Sequence, residues 1–350
     1  MSPSSSSVNT DEAEDGELIV EGQQARVGFL DGLRGIMCVV VVVFHSLSHV
    51  DFPKSTLGHY AVNGGRPVQV FWAVSGYALA LVDTRERAAQ AAAARLPRLM
   101  LPVLFLGLVT SCQAFFMTFD PLEFWKTERN IVDVFLLNSA GGYNFEHIWT
   151  MSVELYGSLA LFLFHELFKN AEHPGRAVFV LAALAEYISP SYNYFLIGYV
   201  LRHRASWFRP YYDSAGGALI SAAAAVLYFV TLAAEPRDGA PRAGHGWQMV
   251  RYIGVSCAFV CVLSTRYAVS LFDNVVTRFL GRYSFEMYVS HYPIVKKLQN
   301  VASLNGQDRA PLLVFVALLC TFAWTLLVQR HVNSASLKLA KKMASCVQGT

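Results

Sequence analysis

Apolar residues in this chain gather into long runs separated by short polar breaks. A helix needs about 20 predominantly apolar residues to traverse a hydrocarbon core of about 30 Å. Runs of roughly that kind cover residues 34–50, 67–83, 98–119, 148–168, 175–190, 191–202, 214–234, 247–265, 279–298 and 311–330. The fifth and sixth are short and read as a broken or re-entrant hairpin. The pattern predicts an all-α fold, a polytopic transmembrane helical bundle of about ten spans. Residues 1–27 are instead polar, acidic and Ser-rich, with no apolar segment of signal-peptide type, and read as a disordered tail. The expected organisation is a tail at 1–27, a transmembrane domain at 28–331 and a basic tail at 332–350.

Charge orients the bundle. Loops rich in Lys and Arg stay cytoplasmic, and threading ten spans from an inside N-terminus puts 18 of the 28 Lys and Arg on that side. Both termini are therefore expected in the cytoplasm. Composition agrees with an integral, multi-pass membrane protein: 54% of residues are hydrophobic, 15% are charged and mean hydropathy is +0.37. The net charge of +3 is explained by the cytoplasmic loops, so no nucleic-acid partner is expected. The six cysteines are scattered, and Cys257 and Cys261 lack the second pair that a structural zinc site needs, so no metal is expected.

Ionisable groups inside a bilayer cost at least a few kcal/mol and mark function by default. In "FLDGLRGIMCVVVVVFH", residues 29 to 45, Arg34 and His45 are separated by about three helical turns. They share a helix face, with the imidazole roughly 16 Å deeper than the guanidinium. On its own Arg34 reads as a snorkelling anchor, and His45 as a satisfied core residue. Counting about 1.5 Å per residue from each span end brings Ser75, Glu154 and His291 to nearly the depth of His45. Four unrelated core residues have no reason to share one level. A second constellation, "RLPR", sets Arg95 and Arg98 a turn apart where the third span enters the bilayer. Such a pair serves either as positive-inside charge or as a bidentate clamp for phosphate. A phosphate grip below a buried His and Glu suits a coenzyme A thioester. On these residues alone, an acyl-transferring enzyme and a proton-coupled secondary transporter fit about equally.

Five segments decide between them. "FLDGLRGIMCVVVVVFH", "RLPR", "FWAVSGY", "IWTMSVELYG" and "FLGRYSFEMYVSHYPI" resemble, in that order, the signatures of the acyltransferase 3 family of integral-membrane O-acyltransferases. The resemblance covers about residues 28 to 330. It implies a membrane-bound enzyme that moves an acyl group, most often acetyl, from acyl-CoA to a hydroxyl. His45 resembles the essential histidine of the family and Arg34 its basic partner. Arg95 and Arg98 resemble the pair attributed to the acyl-CoA donor, and Glu154 the acidic residue. Ser75 with Gly76 matches an S-G pair, and His291 a frequent H-x-P ending. Departures are small, with Tyr77 where Phe is commoner and Thr150-Met151 inside the Trp-to-Glu motif.

Compact members of this kind resemble fungal ones that acylate hydroxyls of secondary metabolites. The expected partners are therefore membrane lipid and a lipophilic hydroxyl acceptor, and acyl-CoA enters as co-substrate with no permanently bound cofactor. His45 is the expected general base, with Glu154 either fixing its tautomer or binding the acceptor. Ser75 and Tyr288 are candidate donors to the oxyanion.

Overall fold

The computed structural model describes residues 28–48, 63–80, 85–118, 146–168, 174–235, 245–301 and 307–348. The expected tail at 1–27 lies outside them. The described residues form helices joined by turns, with no strand among them. In chain order the helices are α1 (Gly28–Leu47), α2 (Gly65–Leu79), α3 (Arg85–Thr118), α4 (Trp149–Phe168), α5 (Pro174–Ile188) and α6 (Asn193–His203). They continue with α7 (Ala215–Ala233), α8 (His245–Leu263), α9 (Arg266–Phe272), α10 (Val275–Gln299) and α11 (Ala310–Trp324). A π turn at Thr325–Gln329 then leads into α12 (Arg330–Gln348).

Every predicted span falls on a helix, but the count of ten spans is not confirmed. Among the described residues six stretches are long and apolar enough to cross a membrane: Gly28–Leu47, Ala89–Gln113, Trp149–Phe168, Ala215–Ala233, Gly246–Leu263 and Ala310–Cys346. Three of the remaining helices are too short: α2 and α5 have 15 residues each, and α6 has 11. The fourth, α10, is long enough at 25 residues but carries Arg278, Arg282, Glu286, Lys296 and Lys297. The expected hairpin is present as α5 and α6, joined by a 3-10 turn at Pro190–Tyr192.

Helix ends follow local chemistry. Asn274 caps α10, its Oδ1 accepting from the Val276 and Thr277 amides at 3.0 Å each, while Thr277 Oγ1 accepts from the Asn274 amide at 3.2 Å. Ser214 caps α7 through the Gly217 amide at 3.1 Å. Near the start of α11, Pro311 loses nothing, because the first amides of a helix have no partner inside it.

Two glycine-lined crossings set the architecture. Without a hydrophobic drive between helices in lipid, small residues let backbones approach and gain dispersion energy. Helices α1 and α10 run parallel, and a Cβ on Gly281 would lie 1.9 Å from the Asp31 carbonyl oxygen. One on Gly35 would lie 2.6 Å from the Gly281 nitrogen. Cys38 Sγ extends the contact by donating to the Ser284 carbonyl at 3.3 Å, and Gln299 closes it by donating to the His45 carbonyl at 2.8 Å. At the second crossing, a Cβ on Gly76 would sit 2.0 Å from the Phe195 oxygen, and one on Gly198 1.9 Å from the Ala73 oxygen. This pairs the short helices α2 and α6 inside the bundle. The apolar core gathers between these pairs, with Leu33, Val41, Val70, Ala73, Phe195 and Phe259 almost wholly buried.

The segment expected as a basic tail from 332 is helix α12, which packs along α3. Ser336 Oγ donates to the Pro97 carbonyl at 2.7 Å, and in the π turn Gln329 Nε2 donates to the Pro102 carbonyl at 3.2 Å.

Candidate functional site

Five helices carry the predicted residues, and all of these residues but His291, which packs beside His45, line one or both of two cavities stacked along the helix axes. The first, about 530 Å³, lies by the N-terminal ends of α1 and α10. Arg34, Arg95, Arg98, Ser75, Glu154 and Tyr288 line it, so six of the predicted residues are together. The second, about 400 Å³, lies by the C-terminal end of α1 and the starts of α2, α4 and α8, and His45 lines it. Val68, Trp72, Thr150 and Tyr288 line both cavities and form the septum between them.

The expectation that Ser75, Glu154, His45 and His291 share one level is therefore corrected. Glu154 sits on the arginine side, its carboxylate 3.6 Å from Arg95 Nη1, and lines the first cavity while His45 lines the second. The shift has a simple source. Helix α1 begins at Gly28 rather than at 34 and stops at Leu47, so His45 is near the helix end instead of near the midplane. Asp31 and Gly32 look like a turn in sequence. Both are buried inside the helix, where Gly32 meets the Phe272 carbonyl of the α9 end.

His45 stands in a cluster of rings. Its ring centroid is 5.1 Å from His291 and 4.9 Å from Tyr292, while His147 is 5.0 Å from His291 and stacks on Tyr292 at 5.1 Å. His147 was not singled out from sequence. It lies on the turn before the Trp149 motif, and only the fold brings it to α10. Carbonyls of α10 fix two of the imidazoles. His147 Nε2 is 2.9 Å from the Val289 oxygen and His291 Nδ1 is 2.6 Å from the Tyr288 oxygen, so in the neutral ring each of these nitrogens carries the hydrogen. His147 Nδ1 and His291 Nε2 are then lone-pair nitrogens, buried and without a hydrogen-bond partner. His147 lies before the membrane-crossing part of α4. Burial, then the neighbouring His291, holds its pKa well below the ordinary imidazole value. No group of three His, Cys, Asp or Glu among the described residues is placed to hold a metal ion.

The septum has a defined polarity. Thr150 Oγ1 donates its one hydrogen to the His147 carbonyl at 2.7 Å. The 2.9 Å contact between Thr150 and the Tyr288 hydroxyl is therefore donated by Tyr288. All four septum residues are buried, from Thr150 at 2% exposed to Val68 at 8%.

The arginine cavity is richer than the sequence motifs indicate. Arg282 and Arg330 join the three predicted arginines, and Glu286 lies among them, accepting from the Asn333 amide. Neither arginine belongs to a recognisable spacing, since each comes from a different helix. Behind the other cavity lies a network that sequence reading also missed. The Arg66 guanidinium is 1% exposed and donates to Glu235 at 2.7 Å and to Thr231 Oγ1 at 3.2 Å. Glu235 also accepts from Arg251 at 3.1 Å, and Arg251 lines the cavity.

A helical bundle with membrane-crossing helices, an arginine-lined chamber and an adjoining chamber lined by His45 and His147 defines a membrane protein built around an internal reaction site. Comparison with known families then places it: the acyltransferase domain model of the acyltransferase 3 family matches residues 27–330, and the chain belongs to that family. It is a membrane acyltransferase. No curated protein and no solved structure matches it. The transporter alternative gives way to acyl transfer.

Proposed function

We propose that the protein transfers an acyl group, acetyl in the first instance, from a coenzyme A thioester to a hydroxyl of a lipophilic acceptor, with secondary metabolites the favoured class. The observation that carries this reading is the adjacency of the two chambers. Arginines that match phosphate line one, and His45 and His147 line the other, with the septum between them.

The donor's phosphates bind Arg34, Arg95 and Arg98, with Arg282 and Arg330 adding charge at the same cavity. The pantetheine arm runs inward to the septum, and the acceptor occupies the second cavity among Phe44, Trp72, Trp149 and Tyr194. His45 takes the hydroxyl proton as the acceptor oxygen bonds to the thioester carbonyl carbon. The carbon–sulfur bond then breaks, and the imidazolium returns its proton to the leaving thiolate. The Tyr288 hydroxyl, resting on Thr150, turns to the oxyanion as charge develops there. Glu154 positions Arg95. No step calls for a bound cofactor beyond the acyl-CoA.

The test is acyl transfer from radiolabelled acetyl-CoA into a pool of lipophilic alcohols, with purified wild type beside His45→Ala. Label in an extractable product from wild type, reduced about 10²- to 10⁴-fold in the variant, is the expected result. A variant within tenfold of wild type removes His45 from the role.

A further inference from the structure

We propose that the C-terminal helix α12 is a wall of the donor site, and that its Asn333, Ser334 and Leu337 seat the nucleotide half of coenzyme A. The inference rests on the acyl-CoA reading above and adds to it a binding element beyond residue 330, where the family match ends.

Placement comes first. Helix α12 supplies His331, Asn333, Ser334 and Leu337 to the arginine-lined cavity, next to Arg330 at its start. The helix is held there by buried polar contacts rather than by apolar collapse alone. Ser336 is 0% exposed and donates to the Pro97 carbonyl, one residue before Arg98 and two after Arg95. Asn333 Nδ2 donates to the buried Glu286, and the Asn333 Oδ1 atom is buried without a partner. An amide oxygen left so is costly unless a ligand donor satisfies it. Removing α12 would open the flank of α3 that presents both predicted arginines.

Polarity along the cavity decides which end of the donor meets α12. The inner end is the septum, where Trp72, Thr150 and Tyr288 are buried. The outer end is exposed and includes Arg98, Arg282, Arg330, His331 and Ser334. A thioester must reach His45, so the neutral pantetheine arm takes the inner end. The phosphorylated nucleotide, polar and multiply anionic, takes the outer end with its arginines. Helix α12 lines that outer end, and Leu337, 36% exposed, offers the apolar surface on which a base can lie.

The test uses purified full-length protein in detergent and equilibrium binding of coenzyme A, with adenosine 3′,5′-bisphosphate and acetyl-pantetheine as competitors. Ser334→Trp fills the outer end from an exposed position that the fold does not depend on. Asn333→Ala removes the amide. Leu339→Trp, on an exposed position of the same helix outside the cavity, is the control. The expected result is at least a tenfold loss of coenzyme A and bisphosphate affinity in Ser334→Trp, a smaller loss in Asn333→Ala, and wild-type behaviour in Leu339→Trp. Competition by acetyl-pantetheine should be unchanged throughout. If wild type binds coenzyme A and Ser334→Trp binds it equally well, α12 is not part of the donor site. If wild type fails to bind coenzyme A at all, the acyl-CoA reading itself falls and this inference with it.

Discussion

Gly281 joins the packing of the bundle to the geometry of the reaction. In Gly281→Ala the new Cβ would stand 1.9 Å from the Asp31 carbonyl oxygen, a backbone atom that no side-chain rotation can move aside, whereas real Cβ atoms essentially never approach closer than 3.0 Å. Helices α1 and α10 must therefore separate by at least the difference, 3.0 minus 1.9, or about 1 Å. These two helices carry His45 and His291, whose rings meet at 5.1 Å, and α10 also carries the Tyr288 of the septum. A misplacement of about 1 Å costs on the order of 10²-fold in rate, and overpacking of this kind destabilises by about 1–3 kcal/mol. The assay is the initial rate of label transfer from acetyl-CoA at matched amounts of monodisperse protein, with thermal unfolding alongside. Gly246→Ala is the control, because a Cβ there meets nothing within 4 Å. A Gly281→Ala protein with wild-type rate and wild-type melting temperature would refute the claim that this crossing sets the site.

Other outcomes follow from the same geometry. Glu154→Gln should raise the KM for acyl-CoA while leaving the pH dependence of kcat in place, because the carboxylate pairs with Arg95 in the arginine-lined cavity; a shifted kcat profile would return Glu154 to the base. Arg66→Met leaves Glu235 with one buried cationic partner fewer and should destabilise the protein by about 3 kcal/mol, read as a lowered melting temperature in detergent. His291→Phe keeps an aromatic ring, somewhat larger than imidazole, but removes the lone-pair nitrogen beside His45, so turnover should fall by at least tenfold, with the added bulk lowering the melting temperature. A full-rate His291→Phe enzyme would mark that ring as packing only.

The helical class and most of the arginine chamber were legible in the sequence, since long apolar runs and the Arg-Leu-Pro-Arg spacing depend on local chemistry alone. The depth of each residue was not, because it depends on where a helix begins. Asp31 and Gly32 carry turn chemistry, yet the carbonyl of Asp31 and the bare Cα of Gly281 form a crossing that keeps α1 helical back to Gly28. His147 was hidden for a related reason: its neighbours in sequence do not bury it, while Tyr292 and His291 of α10 do. Lysines at 338, 341 and 342 made the last segment read as a basic tail. Its buried face shows only in residues spaced around the helix, Ser336 and Ala340 among them, that pack on α3.

The septum also bears on electrical insulation. A membrane potential does work of about 2.3 kcal/mol per unit charge for each 100 mV, so any continuous wet path through the bundle would be a leak. Two chambers of about 530 and 400 Å³ lie end to end here, separated by Val68, Trp72 and one hydrogen-bonded pair, Thr150 with Tyr288. Keeping those four side chains packed is what would stop charge and water on the two sides from joining into such a path.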